Sequence, residues 1–148
     1  MDKMPKGKKM ELKLFLLPVF LQIALTLFLL MKLAFLRVKA ITSGKVAVKD
    51  ISLGQKNWPV EMLKFDNCFH NQLETPFLFY FLSAFILILN EANLFFIIGS
   101  WLFVLFRFLH AFEETTKNNI ARRFKYFMVA SIVLILMWSY FLVLFLLK

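Results

Sequence analysis

Four stretches of this chain are too apolar to rest in water and long enough to cross a bilayer, and this limits its fold more than any other feature. Residues 14–31 form the first, broken only by Gln22 and Thr26 and bounded by Lys13 and Lys32. A second helix starting after Pro59 runs to residue 89, the third stretch covers 94–112 and the fourth 124–147. About 20 predominantly apolar residues in a helix cross the hydrocarbon layer, and a helix satisfies its own backbone groups where no water can. The expected fold is all-α, a four-transmembrane-helix up-down bundle, with residues 1–148 as one domain. The first run reads as a span and not a cleaved signal, which would need a short apolar core and a small-residue cleavage site.

Local signals agree with this division. Pro18 lies in the first turns of its span, where a missing donor is tolerated. Gln22 and Thr26, four apart, share a face and mark a helix contact. Residues 39–59 hold two of the four glycines and scattered lysines and read as a long loop. Pro59 allows a helix to begin at once, and Pro76 should kink or loosen that helix. Residues 90–93 form a tight turn and 113–119 a polar loop.

Charge explains the partners to expect. The net charge is +9, but of the Lys and Arg residues only Arg107 lies well inside an apolar run; the others flank the runs, where they meet lipid headgroups. No basic-aromatic module accompanies them, so no nucleic acid is expected. Eleven cations border the first and third loops against six on the opposite side, which favours a cytoplasmic position for those loops, although the N-terminal lysines oppose it. With 61% hydrophobic residues the chain exceeds the usual share of a soluble domain. The lone Cys68 can form no intramolecular disulfide and reads as a small residue on a helix face.

Against this background the polar residues inside or beside the spans stand out. Asn67, Asn71 and Glu74 fall at i, i+4 and i+7, with His70 beside them; Arg107, His110 and Glu114 fall at i, i+3 and i+7; Arg122 and Tyr126 are four apart. Three helices therefore carry polar groups at one depth, with Arg37 and Lys39 near the same level. Such groups mark a functional site, or a structural lock in which Glu74 pairs with Arg107 while Asn71 and His110 hydrogen-bond beside them. No metal site is expected, since a carboxylate bundle needs several inward glutamates and only Glu74 qualifies. Ser83, Ser100 and Ser131 have no nearby base and read as helix contacts.

Asn71-x-x-Glu74 followed by Pro76-Phe77-Leu78-Phe79, then Arg107-x-x-His110 and Arg122-x-x-x-Tyr126, resembles the MAPEG superfamily along the whole chain. These are membrane-associated proteins in eicosanoid and glutathione metabolism, the microsomal glutathione transferases among them, and the Asn71-to-Tyr80 segment is most similar to the bacterial branch. The resemblance implies a homotrimer, multi-pass in a bacterial inner membrane, with glutathione as cofactor between neighbouring protomers near the cytoplasmic face. It implies cofactor-binding roles for Arg37, Asn71, Glu74, Arg107 and His110. Arg122 would stabilise the thiol, with Tyr126 one turn on. The chemistry suits these residue types: carboxylates take guanidinium forks, and a thiol needs a cation or donor to become thiolate.

The chain also departs from the pattern. Glu114 stands where the family's glutathione users carry a tyrosine, and Asn67-Cys68-Phe69-His70-Asn71 stands where they carry Arg-Ala-His-x-Asn. One cation and one thiol-region donor are thereby lost, and an added carboxylate would repel a thiolate; Lys64, Lys117 or Arg123 could replace the cation. Two readings follow. One is an enzyme that conjugates, reduces or isomerises a hydrophobic small-molecule electrophile with glutathione. The other is a non-catalytic membrane binding or assembly protein whose polar layer is structural.

Overall fold

A computed structural model describes residues 6–52 and 57–147. Asp2 and Lys3 of the basic start, residues 53–56 of the expected loop, and Lys148 lie outside the described residues. Four helices carry the chain: α1, Lys6–Thr42; α2, Val60–Ile88; α3, Leu94–Thr115; and α4, Ile120–Leu146, with a single 3-10 turn at Val48–Asp50 between α1 and α2. Each α-helix is long and apolar enough to cross a membrane. At about 1.5 Å per residue, α1 extends to about 55 Å and projects well beyond the hydrocarbon. The expected span of residues 14–31 is thus only its middle.

The helix ends follow from their residues. Gly44, at φ +71°, closes α1 with Lys45 N–H donating to the Ala40 carbonyl and Gly44 N–H to Ile41, the paired bonds of a left-handed C-terminal cap. Asn90, at φ +59°, repeats the pattern at the end of α2, with Glu91 N–H donating to Ile86 and Asn90 N–H to Leu87. Asparagine tolerates this conformation better than other side chains do. Asn93 and Asn119 cap α3 and α4, their side chains accepting from Phe96 N–H at 3.3 Å and Arg122 N–H at 3.1 Å.

Both internal prolines lie within continuous helices. Pro18 has no N–H to give the Leu14 carbonyl one turn earlier. The indole Nε1 of Trp101, on α3, donates to that oxygen at 3.1 Å. Trp101 thus takes up the carbonyl the proline leaves free and ties α3 to α1.

Packing sets α2 and α3 at the centre, with α1 against both and α4 chiefly on α3. The main core joins Phe15, Phe79, Leu82, Ile86, Phe96, Phe103, Leu134, Met137 and Phe141, and the Phe79 and Phe103 rings stack at 4.6 Å. A second cluster of Leu25, Leu29, Cys68 and Ala111 lies towards the end of α3. There Cys68 is fully buried, as a small residue on a packed face should be. Helices α3 and α4 approach closely at Gly99, where an added Cβ would come within 2.8 Å of Met137 Cγ and Sδ. The outer surface is hydrocarbon: Phe28, Phe124 and Ile135 are all about three-fifths exposed, an arrangement stable in lipid and not in water.

Candidate functional site

Arg107 lies one turn from Phe103 and one turn from Ala111, so its charge falls between the two apolar clusters. The helical period brings His110 and Glu114 to the same face of α3, against Asn71 on α2 and the first turn of α4. The result is a polar layer centred on Glu114, which is 1% exposed.

Asn71 Nδ2 donates to both Glu114 oxygens, at 3.1 and 3.0 Å. Arg123 Nη1 donates to Glu114 Oε1 at 3.1 Å and to Asn118 Oδ1 at 2.9 Å. His110 Nε2 approaches Glu114 Oε2 at 3.2 Å, an ion-pair distance whose angle falls outside a good hydrogen bond. His110 Nδ1 lies 3.0 Å from the Arg123 carbonyl. A carbonyl can only accept, so Nδ1 carries the proton. The α3–α4 turn is pinned by its own contacts, with Asn118 at φ +52° and Asn119 N–H donating to Glu113 Oε1 at 3.2 Å.

Arg107 is fully buried and among the described residues makes one hydrogen bond, from Nη2 to the Asn71 carbonyl at 2.6 Å. Its Nε and Nη1 have no partner. On the α1 side Gln22 Nε2 donates to Gln72 Oε1 at 2.8 Å, both side chains being buried. This is the helix contact expected of Gln22, while Thr26 returns its hydroxyl to the Gln22 carbonyl.

The candidates from the sequence fall into three groups. Asn71, Arg107 and His110 enter the layer. Arg37 is held elsewhere: its Nη2 meets Asp66 Oδ1 at 2.6 Å and its guanidinium lies 5.7 Å from the Trp58 ring centroid. Glu74 and Arg122 are exposed, and Tyr126 is half-buried beside Phe106 at 6.4 Å between ring centroids. Among the described residues the expected Glu74–Arg107 ion pair is not formed; Arg107 turns to the Asn71 backbone carbonyl.

Three further residues complete the arrangement. Arg123, one of three cations considered as replacements, is the one that reaches Glu114. Gln72 pairs with Gln22, and Asp66 holds Arg37. Of the other two, only Gln72 carried a signal, a polar side chain on the helix facing the Gln22 stripe. Asp66 looked like any flanking charge.

Comparison with known proteins bears on the same residues. The MAPEG family model matches residues 15–143, a segment that contains every residue of the layer. The chain belongs to the MAPEG family. No curated protein and no solved structure matches it. With its four apolar helices, this MAPEG chain is an integral, multi-pass membrane protein.

Chemically, the MAPEG polar layer carries more cation than anion. Arg107 and Arg123 face one buried carboxylate, and His110 adds a further charge when protonated. Arg123 pairs with Glu114 and Asn71 donates to both its oxygens, so its repulsion of a nearby anion is partly offset. What the layer lacks is an acceptor for the remaining Arg107 donors.

Proposed function

We propose that this MAPEG protein binds glutathione, or a thiol of the same anionic kind, where copies of the chain meet at the level of the polar layer. There it conjugates, reduces or isomerises a hydrophobic electrophile taken from the bilayer. One observation carries the reading. Glu74 and Arg122, of opposite charge, are exposed on the protomer, and among the described residues neither side chain has a hydrogen-bond partner. An ionised group near hydrocarbon needs water, a ligand or another chain beside it.

The donor set fits such a ligand. Glutathione has two carboxylates for guanidinium groups and an amine for a carboxylate such as Glu74. When bound it supplies a nucleophilic thiol. Arg122 would hold that thiol as thiolate by charge, with the Tyr126 hydroxyl one turn further along as a donor. Asn71 and His110 serve by fixing Glu114 and, through it, Arg123; Arg107 keeps two N–H groups for an acceptor. Arg37 would contribute only on leaving Asp66. A homotrimer in a bacterial inner membrane is the assembly this reading adopts.

Calorimetry with glutathione on the purified protein, followed by conjugation of a chlorodinitrobenzene-type electrophile, tests the proposal. Binding at millimolar glutathione or tighter is expected, together with a conjugation rate lost in Arg122→Ala. Absence of heat at millimolar glutathione overturns it.

A second reading rests on Glu114. It engages Asn71, His110 and Arg123 together, three groups that a ligand would otherwise use. A protein that keeps its layer for helix register alone would bind no thiol and would lose only stability in Glu114→Ala.

A further inference from the structure

The outward side of the bundle carries a groove between α1 and α3. Its cavity of about 430 Å³ is lined by Leu21, Leu25, Phe28, Phe108, Phe112 and Thr115, with Ala24 on its wall. Thr115 is the one lining side chain able to hydrogen-bond, and its hydroxyl already donates to the Ala111 carbonyl at 2.8 Å. The groove therefore offers hydrocarbon and no free polar group along its length.

Its end is different. Helices α1 and α3 run in the same direction, each antiparallel to α2, so the residues that follow Leu29 and Thr115 emerge at one end of the groove. Lys32 lies one turn beyond Phe28 on the same face of α1, and Lys117 lies two residues beyond Thr115; both are exposed. Lys64, at the start of α2, is brought to the same place by its Nζ hydrogen bond to the Thr116 carbonyl at 2.9 Å. The nearest acids do not cancel these charges. Asp66 pairs with Arg37 and Glu114 is buried in its own network; Glu113 keeps its charge but is buried and turned to the Asn119 N–H. Among the described residues the exposed acids at this end are Asp50 and Glu61, against Lys32, Lys39, Lys45, Lys49, Lys117, Arg122 and Lys125.

We infer that the α1–α3 groove is a binding site for an anionic phospholipid of the surrounding bilayer. One acyl chain lies along the apolar channel, and the headgroup phosphate is held by Lys32, Lys64 and Lys117. Hydrocarbon filling alone would not distinguish lipids; the lysine triad makes the site selective for negative charge. The site is independent of the thiol reading above.

Native mass spectrometry of the full chain, incubated with phosphatidylglycerol or phosphatidylcholine of matched chains, tests this. Phosphatidylglycerol should be retained in preference. Lys32→Ala and Lys117→Ala should each lower its retention about five-fold, as expected for one lysine near a charged headgroup, and leave phosphatidylcholine unchanged. Ala24→Phe, which fills the groove, should abolish retention, whereas Ala34→Phe, exposed on α1 outside it, should not. Equal retention of the two lipids overturns the proposal. So does unchanged phosphatidylglycerol binding in the lysine variants or in Ala24→Phe. If Ala24→Phe splits an oligomer while lipid binding persists, a second copy covers the groove and the proposal fails. The exposed lysines decide the question alone should Ala24→Phe not fold.

Discussion

At the scale of single residues, Glu114 decides what the polar layer is. Removing a buried partner from a compensated charge cluster costs about 3–5 kcal/mol, because the opposite charges remain behind. The Arg123 side chain is 29% exposed, so water recovers part of that loss and the lower end of the range applies. Glu114→Ala should therefore reduce the stability of the detergent-solubilised protein by about 3 kcal/mol. Glu114→Gln, which keeps an acceptor for Asn71 and Arg123, should cost about 1–2 kcal/mol. Thermal unfolding of the two variants measures the difference, and equal midpoints would show that charge compensation is not what Glu114 supplies. The existence of this layer was legible in the sequence because a charge inside an apolar run is conspicuous. Its pairing was not. Asn71 and Glu74 are only about 60° apart around a helix, yet that arc crosses from the packed face to the outer one. Arg122 and Arg123 are about 100° apart, and spacing alone cannot tell which of two neighbouring arginines turns inward.

At the scale of helices, two of the joints involve residues without charge. Trp101→Phe removes the donor to Leu14 and should cost about 1 kcal/mol, the usual net worth of one hydrogen bond. Pro18→Ala gives Leu14 a backbone donor again, so the same tryptophan substitution in that background should cost close to nothing. A double-mutant cycle by thermal unfolding reads the coupling, and additive effects would mean that the indole does not serve the proline's orphan carbonyl. Gly99 supports a second prediction. Gly99→Ala should change stability by less than about 1 kcal/mol, since gained helix propensity offsets displacement of the flexible Met137 side chain. Gly99→Leu should destabilise by about 1–3 kcal/mol through overpacking, with part of the loss recovered in Met137→Ala. Spans could be read in advance, because apolar length acts locally. The extent of α1 could not. Its lysine-rich flanks look like loop composition, yet Lys is a good helix former and nothing between Pro18 and Gly44 interrupts the ladder.

At the scale of the whole molecule, the question is where an outward carboxylate and an outward arginine find their counterparts. Glu74 is exposed on α2, a central helix, and Arg122 on α4, which packs chiefly on α3. Under the proposed site between copies, a ligand that uses both outward residues draws them from two copies of the chain. Co-expression of Glu74→Ala with Arg122→Ala follows from this. Each variant alone should lose glutathione binding. In mixed oligomers, an Arg122→Ala protomer donates an intact Glu74 to the intact Arg122 of a Glu74→Ala neighbour. Under random mixing in a closed ring, about a quarter of the interfaces regain both residues. Calorimetry of the co-purified mixture should then recover about that fraction of the native sites, at native affinity, whereas mixing after purification should recover none if copies do not exchange. Failure of the co-expressed mixture to bind, with both variants folded and associated, would place Glu74 and Arg122 in separate roles and leave the layer around Glu114 as a lock between helices.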